Sequence, residues 1–111
     1  MSTPQDRLEE IHAAYAAAMQ RRFGDLKLAQ SEAEVRDILN NVRNLEGHYL
    51  KAAAAALAQT GPDVEAALQA AQTARSEVDA AYAAAQGIAE KIRLVSRTVK
   101  AVGELVKKAQ G

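Results

Sequence analysis

The residues of this chain that could bind a metal ion are two histidines and the carboxylates near them. Glu9 stands three residues before His12, the spacing at which helical bundles point a carboxylate and an imidazole at one ion. A metal site of that kind needs a second such pair and two further inward carboxylates, but Leu45 stands three residues before His48. The donor set is incomplete, so we expect no metal site. Both histidines fit the polar flanks of amphipathic helices.

Hydroxyl and amine groups that could act as nucleophiles are not grouped with a base. Covalent catalysis needs an activated Ser, Thr, Cys or Lys beside a general base, yet the chain has no cysteine, and Thr3, Ser31 and Thr60 fall at expected helix ends. The sequence also has no glycine-rich phosphate loop. With no Trp, one Phe and three Tyr, the chain has few of the large aromatic residues that line ligand pockets, so we expect no roomy pocket. We therefore expect no enzymatic activity, no catalytic residue, no cofactor and no small-molecule substrate.

The charges of the chain balance, with 14 Lys and Arg against 14 Asp and Glu. No global field attracts nucleic acid or an anionic membrane, and the cations near the C-terminus suit the negative end of a helix dipole. We therefore expect no nucleic-acid partner. No uncharged stretch reaches the ~18 residues of a membrane-spanning helix, and no secretory signal begins the chain. We expect a cytoplasmic protein, or alternatively one exported by a leaderless secretion system.

Capping residues and apolar periodicity predict an all-α fold in a single helical domain, residues 1–111. Thr3 before a proline predicts a first helix over about 4–22, which weakens at Gly24. A second helix is predicted over about 31–59, beginning at a Ser that has Glu three residues later. A third follows over about 62–108. The short turn between them makes helices two and three a long antiparallel hairpin.

The third predicted helix carries one apolar residue at every third or fourth position from Val64 to Ala109. A sustained repeat of this kind indicates a coiled-coil-like seam that faces another helix. Its first half is alanine-rich, and the second helix can cover it closely. Its second half lies beyond the predicted reach of the second helix, so we expect it to form an interaction face: Ile88, Ile92, Val95, Val99, Val102, Val106.

Three arrangements would cover this face. In the favoured one, the first helix folds back after a break at Gly24 and completes a three-helix, coiled-coil-like bundle. The apolar positions Leu8 and Tyr15 lie one residue out of register with the second helix, which indicates a break or a stutter. Alternatively, the first two helices are nearly continuous and the protein is one long hairpin. Thirdly, Ile and Val at both seam positions suit parallel trimers or larger coiled coils, so a second copy could cover the face.

The segment Ile92–Gln110, IRLVSRTVKAVGELVKKAQ, resembles the C-terminal helix of inner-rod and needle subunits of bacterial type III secretion systems. That resemblance implies a small helical protein that polymerises by packing such helices. The chain's size and hairpin also resemble the leaderless secreted helical hairpins of the WXG type, although it has no Trp and turns at Thr60-Gly61-Pro62.

The main functional hypothesis from the sequence is a non-enzymatic interaction or structural protein. It would act through coiled-coil-like packing, either as a homo-oligomer or with a helical protein partner. The alternative is a protein associated with a secretion system, as a rod-like subunit or an exported hairpin.

Overall fold

The computed structural model describes all 111 residues. It contains four helices and no strand: α1 Pro4–Leu28, α2 Glu32–Ala54, α3 Pro62–Ala83 and α4 Ile88–Gln110. The all-α prediction is confirmed. The predicted three-helix bundle is wrong in its number of helices, because the single long helix expected over 62–108 is two helices, α3 and α4. The predicted antiparallel hairpin of helices two and three is also wrong, because α2 makes no contact with α3 and packs against α1 and α4 instead.

The N-terminal caps that begin α1 and α2 are the ones the sequence predicts. Thr3 and Asp6 form a reciprocal capping box at the start of α1, and the Ser31 side chain accepts a hydrogen bond from the backbone N–H of Glu34. The predicted C-terminal ends are wrong in both helices. α1 continues through Gly24 to Leu28, and α2 ends at Ala54, several residues before the predicted boundary at 59.

The break between α3 and α4 falls within an alanine-rich segment. Ala85 adopts a φ of 54°, and the N–H of Gln86 donates to the carbonyl of Ala81 at 3.0 Å, which closes the end of α3. A left-handed conformation costs an alanine roughly 1–2 kcal/mol, and alanine is the best helix former. Tertiary packing outweighs the conformational cost and the helix propensity of this segment. A continuous helix ~70 Å long would extend past α2, whereas the break turns the chain back so that α4 packs beside α2.

The four helices form two helical hairpins that lie side by side. The first hairpin is α1–α2 and the second hairpin is α3–α4. In the bundle, α1 packs beside α3 and also contacts α4, α2 packs beside α4, and α2 and α3 lie diagonally opposite. The neighbours α1 and α3 run parallel, with contacts between residues 57 or 58 apart such as Asp25–Tyr82 and Arg21–Asp79. The neighbours α2 and α4 are also parallel, with contacts 55 residues apart such as Asn41–Ser96.

The second hairpin repeats the core of the first at a constant spacing of 57 residues. Each of the two residues in these pairs is buried: Ile11 and Leu68, Ala14 and Ala71, Leu45 and Val102, Ala52 and Ala109. Because corresponding positions of the two hairpins occupy the interior together, the protein is built from two similar units in the same orientation.

The main core draws on all four helices and on the connection between the hairpins. Leu57 in that connection is buried within the core, and the N–H of Gln59 donates to the carbonyl of Ala109 at 2.8 Å. A second, smaller cluster of Val78, Ala81 and Leu94 lies near the α3–α4 turn. The molecule measures 42 × 25 × 18 Å, and none of its helices combines the length and apolarity needed to cross a membrane.

Candidate functional site

The predicted interaction face lies mostly inside the bundle. Ile88, Val102 and Val106 are buried, while Ile92, Val95 and Val99 are half-buried. The expectation that α2 cannot reach these residues is wrong, because the break before α4 brings it alongside α2. Whether any part of this face also contacts another molecule stays a prediction.

The contact between α2 and α4 is close because small residues lie on it. The amide of Asn41 donates to the hydroxyl of Ser96 at 3.1 Å. Farther along, the His48 ring lies over Gly103, where an added β-carbon would come within 3.0 Å of Nε2. Burial and the nearby Lys51 ammonium both lower the pKa of His48. This histidine fills a packing position between two helices.

The contact between α1 and α3, which we call the polar seam, is made by charged and polar side chains. Its pairs are Arg7–Glu65, Glu10–Arg75, Arg21–Asp79 and Asp25–Tyr82. Alanines occupy α1 between the outer pairs, at positions 14, 17 and 18. These alanines line a small cavity beside α3, and the long polar side chains bridge the two helices.

Arg7 is the most deeply buried member of the polar seam, with 0% of its side chain exposed. Its guanidinium donates to the carbonyl of Leu57 at 2.6 Å, to Ser2 at two oxygens at 2.9 Å each, and to Glu65 at 3.4 Å. Hydrogen bonds from Ser2 and Arg7 lower the pKa of the Glu65 carboxyl. Arg7 therefore ties the N-terminus, the connection between the hairpins and the start of α3 together. The sequence carries no signal for this role, because an Arg near the start of a helix normally faces water.

Glu10 and Arg75 form the best-aligned ion pair of the polar seam. Two guanidinium nitrogens of Arg75 donate to the two carboxylate oxygens of Glu10, at 2.6 and 3.0 Å. Glu10 is buried, and its carboxylate raises the pKa of Arg75. Glu10 and Arg75 neutralise each other's charge. Neither side chain can pair with a charged ligand unless the polar seam opens.

The far end of the polar seam is a cluster around the Tyr82 ring. The Tyr82 hydroxyl donates a hydrogen bond to Asp25, the Arg21 guanidinium lies 4.1 Å from the ring centroid, and the buried Lys91 ammonium lies 4.6 Å from it. Burial raises the pKa of Asp25 above its ordinary value, although Tyr82 and the two cations oppose the shift. Burial and the Asp25 carboxylate together raise the pKa of Tyr82.

This cluster has the residue types of a proton-transfer site, because a carboxyl with a raised pKa lies near a buried lysine. The adjoining cavity, between α1 and the other three helices, has a volume of about 30 Å³. That is room for one or two water molecules. A larger molecule could enter only if the polar seam opened, so the cluster as it stands serves to hold α1, α3 and α4 together.

The two histidines lie on different contacts of the bundle. The His12 ring is 5.1 Å from the Tyr49 ring, in the groove between α1 and α2, whereas His48 faces α4. No three His, Asp or Glu side chains come close enough to share a metal ion.

The outer face of the first hairpin, defined by Phe23, Leu39 and Leu50, exposes large apolar side chains. These residues are 65%, 38% and 58% exposed, respectively. Leu39 and Leu50 are eleven residues apart, three turns of α2, and therefore lie on one side of it. Phe23 lies two and a half turns after the buried Ala14, so it points away from the core. These residues fall outside the main apolar repeat, so the repeat does not indicate this face, although their helical spacing could have revealed it.

Aromatic contacts support this outer face from beneath. The rings of Tyr15 and Tyr49 stack with centroids 5.8 Å apart across the α1–α2 groove, and the Tyr15 hydroxyl donates to Glu46 at 3.0 Å. Glu46 lies one turn before Leu50 on α2. Its carboxylate is the main reason that the pKa of Tyr15 is raised.

The outer groove of the second hairpin, defined by Ala66, Ala70, Ala74 and Ala101, has the opposite character. These small residues form the floor of a shallow depression between α3 and α4. Arg97 and Glu77 form an ion pair at 3.4 Å over one part of it. Lys100, Glu104 and Lys108 border the rest, and none of the three forms an ion pair.

Taken together, these features define a four-helix bundle of two stacked antiparallel hairpins whose polar side chains serve mainly to join helices. Comparison with protein-family models, curated proteins and solved structures finds no match to this chain.

Proposed function

We propose that the chain is a non-enzymatic helical protein that works by binding another protein through helix packing, with the outer face of the first hairpin as its contact surface. The observation that carries the proposal is the exposure of Phe23, Leu39 and Leu50 on one side of that hairpin. Single exposed apolar residues are ordinary on protein surfaces, but a group of large ones on one face is typical of a binding surface.

The energetics support a contact at this place. Burying each large apolar side chain contributes roughly 1.5–3 kcal/mol. The three side chains stand on regular helices whose groove is filled by stacked tyrosines, so little backbone ordering accompanies binding. By contrast, the carboxylates and guanidiniums of the polar seam already hold each other, which leaves them poorly placed to bind a substrate.

Site-directed photo-crosslinking in the producing cell tests the proposal. A photoreactive phenylalanine analogue at Leu50 is compared with the same analogue at Asn44, which is exposed on another side of α2. We expect a discrete protein adduct from position 50 and none from position 44, with mass spectrometry identifying the adduct. The adduct from position 50 should disappear when Phe23→Asp is added. Equal crosslinking at both positions, or none at position 50, would overturn the assignment of this surface.

A further inference from the structure

We propose that two copies of this chain exchange hairpins, so that the second hairpin of each copy packs against the first hairpin of the other. The segment that allows this exchange is residues 58–61, in the connection between the hairpins, which we call the hinge. The contact surface is the one already buried between the two hairpins of a single chain, and the partner is a second copy. This exchange is independent of what the outer face of the first hairpin binds.

Each hairpin is a more tightly associated unit than the pair of hairpins. The helices within a hairpin, α1 with α2 and α3 with α4, contact each other more extensively than helices of different hairpins do. The contact between the hairpins also includes the polar seam, where the Arg21–Asp79 ion pair is partly exposed to solvent and therefore contributes little stability. The two hairpins can thus separate while each keeps its own helix contact.

The hinge has few contacts with the rest of the molecule. Leu57, just before it, is buried, and its carbonyl accepts a hydrogen bond from Arg7, which anchors the connection up to that residue. By contrast, residues 58–60 are exposed, and a single hydrogen bond, from the Gln59 N–H to the Ala109 carbonyl, ties them to a hairpin. When straightened, the chain from Leu57 to the start of α3 spans up to about 17 Å. Straightening the hinge therefore sacrifices few interactions.

Gly61 determines how readily the hinge closes the two hairpins of one chain on each other. It adopts a φ of 133° and a ψ of 170°, a conformation that is essentially restricted to glycine. A β-carbon added there would also lie 3.1 Å from a carboxylate oxygen of Asp63. A larger residue would therefore strain the closed monomer, whereas a straightened hinge allows it an ordinary extended conformation.

The balance between monomer and exchanged dimer depends on the hinge and on the protein concentration. Each half of the dimer re-forms the contacts between hairpins, such as Arg7–Glu65 and Asn41–Ser96, with the two residues now on different copies. Because these contacts are the same in both forms, a change in the core affects monomer and dimer equally. A change in the hinge shifts the balance between them.

Light scattering after size-exclusion chromatography tests the exchange on chain refolded from urea at millimolar concentration. We expect the wild type to give a dimer, at twice the monomer mass of 11.8 kDa, in equilibrium with monomer. Gly61→Val should raise the association constant at least about tenfold, because each dimer relieves strain at both of its hinges. Gly24→Val, at an exposed helical position with open space around it, is the matched control and should leave the association constant unchanged.

Cysteine pairing identifies which contact holds the dimer, since the chain has no cysteine of its own. The Asn41 amide donates to the Ser96 hydroxyl at 3.1 Å, so thiols placed at these two positions should face each other. In the Gly61→Val background, Asn41→Cys chain and Ser96→Cys chain are mixed, refolded together and oxidised. We expect a disulfide-linked heterodimer, and no link from either variant alone. A dimer held by outer surfaces would keep each thiol facing its own chain and would give no link.

Arg21→Cys mixed with Asp79→Cys repeats this test across the polar seam at partly exposed positions, with a short bismaleimide as the cross-linker. This second pair decides the question if the buried Asn41→Cys variant fails to fold, and circular dichroism establishes folding. Hairpin exchange is wrong if wild type and Gly61→Val both stay monomeric, or if Gly24→Val associates as strongly as Gly61→Val. It is equally wrong if folded chains form a dimer in which neither cysteine pair becomes linked.

Discussion

The two parallel helix contacts of this bundle, α1 with α3 and α2 with α4, differ in what holds them. On the α2–α4 side, Gly103 accepts the His48 ring against the helix backbone, and Val102 and Leu45 are buried in the shared core. On the α1–α3 side, alanines leave a narrow cavity and polar side chains reach across it. One contact is held by shape, and the other by pairs of charged or polar groups.

This difference indicates which contact can adjust. A packed contact with a glycine at its centre loses its fit when either helix shifts. An ion pair between long side chains tolerates a shift of an ångström or so and, when exposed, contributes only about 0–1 kcal/mol. The polar seam is therefore the side on which the two hairpins would separate first, except where its members Arg7, Glu10 and Asp25 are buried; Arg7 is the most deeply buried of the three.

Replacing Arg7 with Met should give the largest effect and tests whether that exception is real. The change leaves the Leu57 carbonyl without its buried donor and releases Ser2, so we expect a loss of about 3 kcal/mol in the free energy of unfolding. Urea unfolding followed by circular dichroism measures it. Arg21→Met, on the same helix, removes an ion pair with the exposed Asp79 and a contact with the Tyr82 ring, and should cost only about 1 kcal/mol. Equal losses would show that burial does not distinguish the two arginines.

Enlarging Gly103 should give the next largest effect and tests the packed contact. Gly103→Leu forces a side chain into the space of the His48 ring, and we expect a loss of about 2 kcal/mol by overpacking. Gly47→Leu, at an exposed helical position with open space around it, should instead stabilise the protein by up to about 1 kcal/mol through helix propensity. If both variants gained stability in urea unfolding, α2 and α4 would not be in close contact at this point.

Sequence reasoning finds the elements of this fold better than their arrangement. The caps at Thr3 and Ser31 are local signals, and both are confirmed. The turn at Ala85 is determined by tertiary packing and not by a local signal. Alanine, the best helix former, adopts a left-handed conformation there because the turn lets the whole of α4 pack beside α2. A pattern of apolar residues along one helix contains no information about that gain, so the long helix was the natural prediction and is wrong.

The candidate surfaces were only partly accessible to sequence reasoning. The Ile/Val repeat correctly indicates a packing face, yet the chain's own helices cover most of it. The burial of Arg7 and Glu10 was not predictable, because it depends on partners 50 to 65 residues away. The spacing that places Leu39 and Leu50 on one side of α2 is visible in the sequence. The sequence does not show whether another helix covers that side, and only the fold shows that both residues are exposed.

Replacing Asp25 with Asn should give the smallest effect and tests the polar seam through its pH dependence. Because burial raises the pKa of Asp25 above 3.8, the folded state holds its proton more tightly than the unfolded state. The resulting stabilisation is complete below pH 3.8 and is lost as the pH rises through the folded-state pKa. The Asp25→Asn variant cannot titrate there, so its free energy of unfolding should rise relative to wild type as the pH increases from 3 to 7. The lowered pKa of Glu65 acts on both proteins and cancels in this difference.

Asp79→Asn, which removes an exposed carboxyl of the same seam, is the control and should show no such relative rise. A difference between Asp25→Asn and wild type that is constant with pH would mean that Asp25 is solvated in the folded protein, and that this end of the polar seam is already open to water.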